Sequence, residues 1–336
     1  MSIVTRHPGF FSLLLAGTIA CAGSGEGTGE PIRLTVRRGA SFSEVADSLG
    51  ARSIVRAPAL FRLYARFTGQ TTDIKPGPYA FRENTGWRRV LDDLVAGRIL
   101  TTRVTIPEGF TLADIAPRLA EPSGANADSL LAAMRDTTAA TTWNVPGPTL
   151  EGYVYPATYT VPIDASPDDL IVQAVQAYRA VWTEERSARA DSIGMSEREV
   201  ATLASIVEKE ARVPTEMPRI AGVYRNRLRI GMPLQADPTV QYALGDHRER
   251  LLFADIERVR DHPYNTYHRR GLPPGPIGAP SERAIEAVLN PTESAELYFV
   301  ARPDGTHVFS RTLAEHNRAI ATIRREQRLQ SSSGSR

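Results

Sequence analysis

The chain contains the same short unit twice: an alternating strand, a glycine turn and a helix that begins with a polar cap. In the first copy, Ile32–Val36 alternates between apolar and polar residues, as a strand with one buried face does. Gly39 supplies a turn, and Ser41 with Glu44 three residues later forms a capping box at the start of a helix. A fold built on this unit has to pack strands and helices together.

The second copy follows about 70 residues later in the chain. Val104–Gly109 supplies the strand and the turn, Thr111 is the cap, and Asp114 stands three residues after it. Between the copies, Lys75–Phe81 predicts a turn and a short strand, and the apolar spacing within residues 90–94 predicts a helix. We therefore predict the α+β fold class.

The chain length argues for two domains. With 336 residues, of which 42% are apolar, the chain can bury a large core and is long for a single one. We predict a small β-α subdomain at residues 31–105 and a larger mixed, helix-rich domain at residues 106–327. The polar residues 328–336 predict a disordered tail.

The composition excludes several kinds of partner and site. The net charge is only +2, and basic and acidic residues are interleaved, so no nucleic-acid partner is predicted. The sequence contains no phosphate-binding loop and no dinucleotide fingerprint. The six histidines lack the paired spacing of a metal site. We therefore predict neither a cofactor nor a metal ion.

Residues 1–21 have the order of a signal or anchor segment, with a basic start, a short apolar core and small residues after it. The apolar run Phe10–Ala20 is shorter than the about 20 residues that cross a bilayer comfortably. Residues 22–30 are rich in glycine and predict a flexible linker, which suits a tether. We expect the N-terminus to attach the protein to a membrane.

Cys21 is the only cysteine, so no intramolecular disulfide can form. It directly follows Thr18–Ala20, and a bacterial lipoprotein signal also ends in small residues before a cysteine that is acylated. Thr18 stands where such signals usually have leucine. Three interpretations stay open: a lipid on Cys21, a short uncleaved anchor, and a cleaved signal that releases the protein. In the last two, Cys21 is only a small residue in the segment.

The helix that begins at Ser196 carries the most informative carboxylate. Ser196 and Glu199 form a capping box. The apolar residues that follow lie on one side of the helix: Val200, Leu203, Ala204, Val207 and Ala211. Since successive residues turn by about 100°, Glu210 falls within roughly 60° of the centre of that stripe. Glu208 lies farther round, and Lys209 points away, so Glu210 is the acid on the core side.

A carboxylate on the core side of a helix has two interpretations. Burial raises its pKa, which is what a general acid needs near neutral pH. Alternatively, Glu210 is structural and forms an ion pair with Arg212, Arg225 or Arg227, because a buried charge is costly unless it is paired. Periodicity by itself favours the ion pair, since structural networks also place acids at core edges.

Seven segments, taken together, carry a resemblance to a known family. They are Glu151–Pro156, Leu203–Glu210, Val223–Met232, Leu234–Tyr242, Tyr264–Tyr267, Gly271–Ile277 and Leu297–Val300. In their order and spacing they resemble the YceG-like family of bacterial endolytic murein transglycosylases. The resemblance covers residues 31–322, and the joint pattern is far more specific than any single segment.

The resemblance implies that Glu210 is the catalytic residue. Lytic transglycosylases cleave the β-1,4 bond between N-acetylmuramic acid and N-acetylglucosamine without water and leave a 1,6-anhydro-muramic end. One carboxyl group can make both proton transfers, whereas ordinary glycosidases need a carboxylate pair. The family also implies cutting within strands, with a role in terminating nascent glycan strands.

The resemblance further implies a LysM-like N-terminal subdomain, which binds the glycan, and an inner-membrane anchor. The catalytic domain then lies outside the cytoplasm, in the periplasm, where peptidoglycan synthases are plausible partners. The subdomain is explained equally well as a plain β-α packing unit without a ligand, because function does not follow from fold.

Candidate substrate-binding residues lie in the same segments. Gln235, Asp237 and Asn265 carry groups that hydrogen-bond to sugars. Tyr155 and Tyr267 can stack on sugar faces, although core packing explains a buried tyrosine equally well.

Two positions depart from the family's usual residues. Ala157 stands where aspartate is usual, and Ser281 stands where glycine is usual. The first change predicts an altered hydrogen bond in the cleft, and neither change touches the Glu210 segment.

Two other functions compete with the transglycosylase. A non-catalytic envelope scaffold would bind peptidoglycan through the N-terminal subdomain and would not depend on Glu210. A muramidase-type hydrolase would need a second carboxylate near the scissile bond, for which Asp237 and Glu151 are the candidates.

Overall fold

The computed structural model describes residues 24–246, 248 and 251–333, without the side chains of 329–333. The predicted signal or anchor segment, with its lipidation site Cys21, lies outside the described residues. Within the described part, no helix is both long enough and apolar enough to cross a membrane. The chain forms two compact units, of which the first extends to Arg103 and also includes Thr160–Ala165.

The first unit has the order strand, helix, helix, strand, helix. Its elements are β1 (Thr28–Val36), α1 (Phe42–Ala51), α2 (Pro58–Phe67), β2 (Gly77–Glu83) and α3 (Trp87–Ala96). β1 begins inside the predicted linker and pairs antiparallel with β2, with Leu34 opposite Tyr79. The predicted capping box is confirmed, since the Ser41 N–H donates to the Glu44 carboxylate at 2.8 Å.

Apolar side chains from all five elements of the first unit meet in one cluster. Leu34, Leu49, Phe61, Tyr79 and Leu91 are at most 3% exposed. Burying a side chain of this size stabilises the fold by about 1.5–3 kcal/mol. The first unit therefore has a hydrophobic core of its own.

Two strands carry the chain between the units. β3 (Thr101–Thr105) pairs with β4 (Thr158–Pro162). Backbone hydrogen bonds beyond its two ends make the pair antiparallel: Ile106 N–H to Ala157 O at 2.9 Å and Ile163 N–H to Leu100 O at 3.2 Å. Each strand begins in one unit and ends in the other. No sequence pattern predicts that residues 160–165 belong to the first unit.

The first half of the second unit contains the second copy of the strand–turn–helix unit. Helices α4 to α8 are Leu112–Ala120, Ala127–Arg135, Thr137–Thr142, Pro167–Val181 and Glu184–Ser192. The capping box is again confirmed, because the Thr111 N–H donates to Asp114 at 3.0 Å. α4 packs against α5 and α7.

The second half of this unit contains the region of Glu210. Helices α9 to α14 are Glu197–Glu210, Met217–Arg229, Asp237–Leu244, Phe253–Arg258, Glu282–Leu289 and Leu313–Ser333, and the strands β5 (Tyr298–Ala301) and β6 (His307–Ser310) form an antiparallel pair. α9 packs against α10, α11 and α13. It is therefore the central helix of this half.

The predicted α+β fold class is confirmed, since the strands of the described chain form two-stranded pairs among many helices. The last helix, α14, continues to Ser333, so the structure places residues 328–333 in a helix, and the predicted disorder of the tail stays a prediction. Helix propagation is cooperative, because each added residue gains a backbone hydrogen bond once the helix exists. Good helix formers before the serines, such as Arg325 and Glu326, support that extension.

Candidate active site

Glu210 lies in the last turn of α9, where the helix leaves the core. The predicted cap is confirmed, because the Ser196 N–H donates to Glu199 at 2.8 Å. Every residue of Val200–Val207 is buried, so neighbouring helices surround the centre of α9 rather than covering one apolar stripe. Beyond it, Lys209 is exposed and Glu210 is half-buried.

The hydrogen-bond partner of Glu210 is a tyrosine on the next helix. The Tyr224 hydroxyl, on α10, donates to Glu210 Oε1 at 2.8 Å. Among the described residues, no arginine or lysine nitrogen lies within 4.0 Å of this carboxylate, so the ion pair that periodicity favoured is not formed. One oxygen of Glu210 is held and the other has no hydrogen bond from the described chain.

The surroundings of Glu210 bring the pKa of its carboxyl group close to neutral pH. Burial raises the pKa of Glu210 to about 7, against the hydrogen bond from Tyr224, which lowers it. The negative charge of Asp237 raises this pKa further, and the positive charge of Arg227 lowers it. Near neutral pH the carboxyl group is therefore populated in both its protonated and its ionised form.

Tyr224 is fixed as a proton donor to Glu210. Its side chain is 1% exposed and packs edge-to-face against Phe299, with ring centroids 5.6 Å apart. Burial, and then the charge of Glu210, raises the pKa of Tyr224 well above its usual value. The hydroxyl stays protonated, so it can orient Glu210 without competing for its proton.

Arg227 holds the surrounding backbone rather than a carboxylate. Its Nε donates to the Leu297 carbonyl at 2.6 Å, and its Nη1 donates to the Leu234 carbonyl. The guanidinium also lies over the Tyr298 ring, 5.4 Å from the centroid. It thereby ties α10 to the chain before α11 and to the start of β5.

Gln235 is presented outward by a strained turn. Its φ is 50°, a left-handed conformation that is unusual for a residue other than glycine. Leu234 and Ala236 on either side are fully buried, and the N–H groups of Gln235 and Ala236 donate to Thr266 at 3.1 Å and 3.0 Å. The Gln235 side chain is exposed. Strain of this kind often marks a functional position.

Asp237 and Tyr267 form a pair close to Glu210. Asp237 is the first residue of α11, and the Tyr267 hydroxyl donates to its carboxylate. The charge of Asp237 raises the pKa of Glu210, which places the two acids in one electrostatic environment. The structure therefore brings three of the predicted residues, Glu210, Asp237 and Tyr267, into one region.

Asn265 is used to build the loop. The side chain is fully buried, and its Nδ2 donates to the carbonyls of Ile256 and Val259 at 2.9 Å and 3.0 Å. Its Oδ1 accepts from the Tyr267 N–H at 3.0 Å. Asn265 thus positions Tyr267, and its predicted contact with a sugar stays a prediction.

Glu151 is a second carboxylate with a shifted pKa. It is 2% exposed and accepts from the Leu112 N–H at the start of α4, at 3.1 Å, and from the Tyr242 hydroxyl, also at 3.1 Å. Burial raises the pKa of Glu151 to about 7 against these two hydrogen bonds. Both of its contacts are structural, and the Tyr242 contact could not be read from the sequence because the partners are 91 positions apart.

Glu208 is hydrogen-bonded to Ser281, one of the two residues that differ from the family's usual ones. The Ser281 N–H and hydroxyl both donate to Glu208 Oε2, at 2.9 Å and 2.5 Å. The prediction that neither departure touches the Glu210 segment is therefore wrong for Ser281, because the fold brings together residues that are 73 positions apart. The same serine oxygen caps α13 by accepting from the Ala284 N–H. Glycine would lack the hydroxyl contacts. The other departure, Ala157, contributes its carbonyl to the bond from Ile106, and its predicted effect on the cleft is untested.

Tyr155 lies at a different cavity from the region around Glu210. It is half-buried and lines an open cavity of about 850 Å³, together with Glu108 and Arg186. Burial raises the pKa of Tyr155. Among the described residues, no group of three or more His, Cys, Asp or Glu side chains could hold a metal ion.

Comparison with known proteins gives a consistent result. Residues 34–322 match the model of the YceG-like family. An endolytic murein transglycosylase of Bacillus subtilis (strain 168) is 31% identical over 305 residues, which cover 86% of this chain and 83% of that protein. One of Streptococcus pneumoniae (strain D39) is 30% identical, and the match covers 86% of this chain and 58% of the relative.

A solved structure agrees. The crystal structure of a yceG-like protein from Listeria monocytogenes is 33% identical and has a TM-score of 0.58. The match covers 87% of this chain and all of that one.

Proposed function

The chain belongs to the YceG-like family, and on that basis we propose that it is an endolytic murein transglycosylase with Glu210 as its catalytic residue. It is an enzyme of the lyase class that acts on peptidoglycan. The bond that it cleaves is the β-1,4 linkage between N-acetylmuramic acid and N-acetylglucosamine. Its products end in 1,6-anhydro-muramic acid.

One feature supports this role of Glu210 most strongly: its carboxyl group has a single neutral hydrogen-bond donor, Tyr224, in a setting where burial raises its pKa to about 7. An acid and base catalyst works best when its pKa lies near the operating pH. An ion pair with arginine would instead favour the charged form and leave a poor acid. Tyr224 holds Oε1 and leaves Oε2 available to the substrate.

The reaction needs two proton transfers by the same group. In the first, protonated Glu210 gives its proton to the glycosidic oxygen, and the bond from that oxygen to the anomeric carbon breaks. In the second, ionised Glu210 takes the proton of the muramic C6 hydroxyl while this oxygen bonds to the anomeric carbon. The ring closes, no water is consumed, and Glu210 returns to its protonated form.

Substrate contacts are proposed for residues around Glu210. The exposed Gln235 side chain and the Asp237–Tyr267 pair stand beside the start of α11 and carry hydrogen-bonding groups for sugar hydroxyl or N-acetyl groups. Asn265 acts mainly by holding Tyr267. Tyr155 belongs to the 850 Å³ cavity, where it can contact a more distant sugar of the strand.

A muramidase-type hydrolase is less well supported. It needs a second carboxylate free to activate water or to attack the sugar. Asp237 accepts a hydrogen bond from Tyr267, and Glu151 accepts from Leu112 and Tyr242 in a buried position. Glu151 is therefore shielded from solvent, whereas Asp237 is exposed and is the one of the two that could reach water.

The place of action is proposed from the family and from the N-terminal sequence. A cell-wall enzyme belongs to the cell envelope, and the apolar run Phe10–Ala20 supports attachment to the inner membrane, through a short span or a lipid on Cys21. Release of nascent glycan strands, near peptidoglycan synthases, follows from cutting within strands. Incorporation of labelled fatty acid into wild type but not into Cys21→Ser would establish the lipid.

The catalytic assignment is tested with purified peptidoglycan and product analysis by mass spectrometry. We expect Glu210→Gln to lower the release of 1,6-anhydro-ended fragments by about 100-fold or more, the usual contribution of a general acid. Glu208→Gln is the matched control, since it changes a carboxylate two residues away on the same helix and should stay active.

Three outcomes would contradict the proposal. Full activity of Glu210→Gln would remove the catalytic assignment. Reducing-end products from the wild type would make the enzyme a hydrolase. Binding of peptidoglycan without any cleavage would make the protein a scaffold.

A further inference from the structure

A second cavity, of about 1100 Å³, opens beside α10 on the side away from Tyr224. The residues of α10 that line it are Gly222, Arg225, Asn226, Leu228 and Arg229. All of them except Leu228 lie about 100–160° round the helix from Tyr224, because successive residues turn by about 100°. The turn before α9, the first turns of α9, the loop Gly271–Pro274 and the segment 291–294 supply its other walls. The cavity is thus a separate feature from the Glu210 site.

Arg225 has an unusual position in this cavity. Its side chain is half-buried, yet it makes no hydrogen bond or ion pair with the described chain. Burial, and then repulsion from Arg189, lowers the pKa of Arg225. A charge that is partly removed from water is costly without a partner.

Comparable arginines of the same unit have their partners within the chain. Arg186 pairs with Glu282 and Glu286, Arg219 pairs with Glu296, and Arg227 bonds to two backbone carbonyls. Arg225 therefore has the environment of these residues without the acceptor that each of them has.

The other charges of the cavity do not neutralise Arg225. Arg198 and Arg229 are exposed lining residues, and no carboxylate of the described chain lies within 4.0 Å of either. Glu199 accepts hydrogen bonds in the capping box of α9, and its negative charge interacts with Arg198. Glu293 is the other acid of the lining; it is exposed and forms no ion pair with the described residues.

Hydrogen bonds and prolines restrict the movement of the cavity walls around these arginines. Asn226 donates to the carbonyls of Ser294 and Glu296 at 2.8 Å and 3.0 Å, which fixes the segment on one side. The prolines of Gly271–Pro274 restrict the opposite wall. A cavity of this size with fixed walls and unpaired guanidinium groups is suited to a ligand of complementary charge.

We propose that the cavity lined by Arg198, Arg225 and Arg229 binds an oxyanion carried by the murein substrate. Guanidinium groups bind carboxylate and phosphate oxygens in the same two-pronged geometry, so both are ligands of this chemistry. In peptidoglycan the carboxylates belong to the peptide stems, and a phosphate source is the lipid-linked end of a strand. The oxyanion site itself is argued from the cavity, and only the assignment of the oxyanion to peptidoglycan rests on the proposed function.

The test measures binding by isothermal titration calorimetry of the full chain. Its probes are a short peptide with a free C-terminal carboxylate, the same peptide as its amide, and inorganic pyrophosphate. We expect one binding site for at least one oxyanion probe, no binding of the amide, and at least about tenfold weaker binding by Arg225→Gln. Arg302→Gln, an exposed arginine outside the cavity, is the matched control and should bind as wild type does.

The probes distinguish the two sources. Binding of the peptide carboxylate alone assigns the site to peptide stems, and binding of pyrophosphate alone assigns it to a phosphate-bearing end. Binding of both supports the shared oxyanion chemistry. If no oxyanion probe binds, or if Arg225→Gln binds as tightly as wild type, the proposal is wrong.

A second measurement separates this proposal from the assignment of Glu210. Glu210→Gln should lose cleavage of glycan strands and keep oxyanion binding, whereas Arg225→Gln should lose oxyanion binding and Arg302→Gln should keep both. The bound probe should raise the melting temperature of wild type and not that of Arg225→Gln, which reports binding even if the substitution alters stability.

Discussion

At the scale of single residues, the hydrogen bond from Tyr224 to Glu210 decides how the carboxyl group behaves. Tyr224 stays neutral and contacts one oxygen only, so it orients Glu210 while leaving its proton exchangeable. This arrangement suits a group that must act first as an acid and then as a base.

We expect Tyr224→Phe to move the pH profile of the enzyme. The hydrogen bond lowers the pKa of Glu210, so removing it raises that pKa above about 7. The first step needs protonated Glu210, hence the alkaline limb of kcat/KM should shift upward by about one pH unit. Profiles measured on purified glycan strands check this, and an unshifted limb would argue against Tyr224 as the positioning residue.

We also expect the stability of the protein to depend on Glu210 in a defined pH window. The pKa of Glu210 is raised from 4.5 to about 7 in the folded chain. Between these values the folded protein keeps a proton that the unfolded chain releases, so the free energy of unfolding falls as pH rises through the window. Glu151 acts in the same direction, since its pKa is also about 7.

Glu210→Gln cannot ionise and should recover about 1–3 kcal/mol of stability at about pH 8 relative to about pH 5. Urea unfolding at the two pH values measures the difference, and Glu326→Gln, an exposed glutamate on α14, is the control. An equal pH dependence in wild type and Glu210→Gln would show that the carboxyl group is not destabilised by burial.

The sequence could single out Glu210 but not its partner. Helical periodicity within α9 orders Glu208, Lys209 and Glu210 by direction, because that information is local. Tyr224 lies on another helix, and no local pattern reports which side chain of a neighbouring helix will face a given acid. The resemblance supplied the role, and the structure supplied the contact.

At the scale of elements, the capping boxes of the helices could be predicted from the sequence, and the complete burial of the middle of α9 could not. The capping boxes that begin at Ser41, Thr111 and Ser196 are all confirmed, because donor and acceptor lie within four residues. The complete burial of Val200–Val207 was not predicted, since it depends on which helices surround α9. The pairing of β3 with β4 likewise joins residues far apart in the chain.

Burial of α9 makes one of its small polar residues important. The Ser205 hydroxyl is 1% exposed, donates to the Thr202 carbonyl at 2.7 Å and accepts from the Ile277 N–H at 3.0 Å. Ser205→Ala leaves that buried N–H without an acceptor, so we expect a loss of about 1–3 kcal/mol. Denaturant midpoints measure it, with exposed Ser192→Ala as the comparison. Equal midpoints would mean that the Ile277 N–H finds another acceptor.

At the scale of the whole molecule, the two units interleave along the chain. The sequence predicted one boundary near residue 105, whereas the first unit ends at Arg103 and takes in Thr160–Ala165 as well. The division into two units depends on contacts between segments that are far apart in the chain. The composition of the sequence and its linker patterns carry no information about those contacts.

The β3–β4 pair predicts how the chain responds to truncation. A fragment of residues 106–333 lacks β3 and leaves the backbone of β4 unpaired, whereas a fragment of residues 98–333 keeps the pair. Unpaired strand edges promote aggregation, so we expect the shorter fragment to melt lower and to scatter more light. Similar behaviour of the two fragments would show that β4 does not need β3.

The same interleaving sets an order of events on the ribosome. The first unit is complete only after residue 165 has been made, although the buried residues of its main hydrophobic cluster are all present by residue 94. At synthesis rates of about 5–20 residues per second, the 62 residues 104–165 take roughly 3–12 s. For that interval a nascent N-terminal unit waits with its last segment missing, and a chaperone that shields apolar surface would act there.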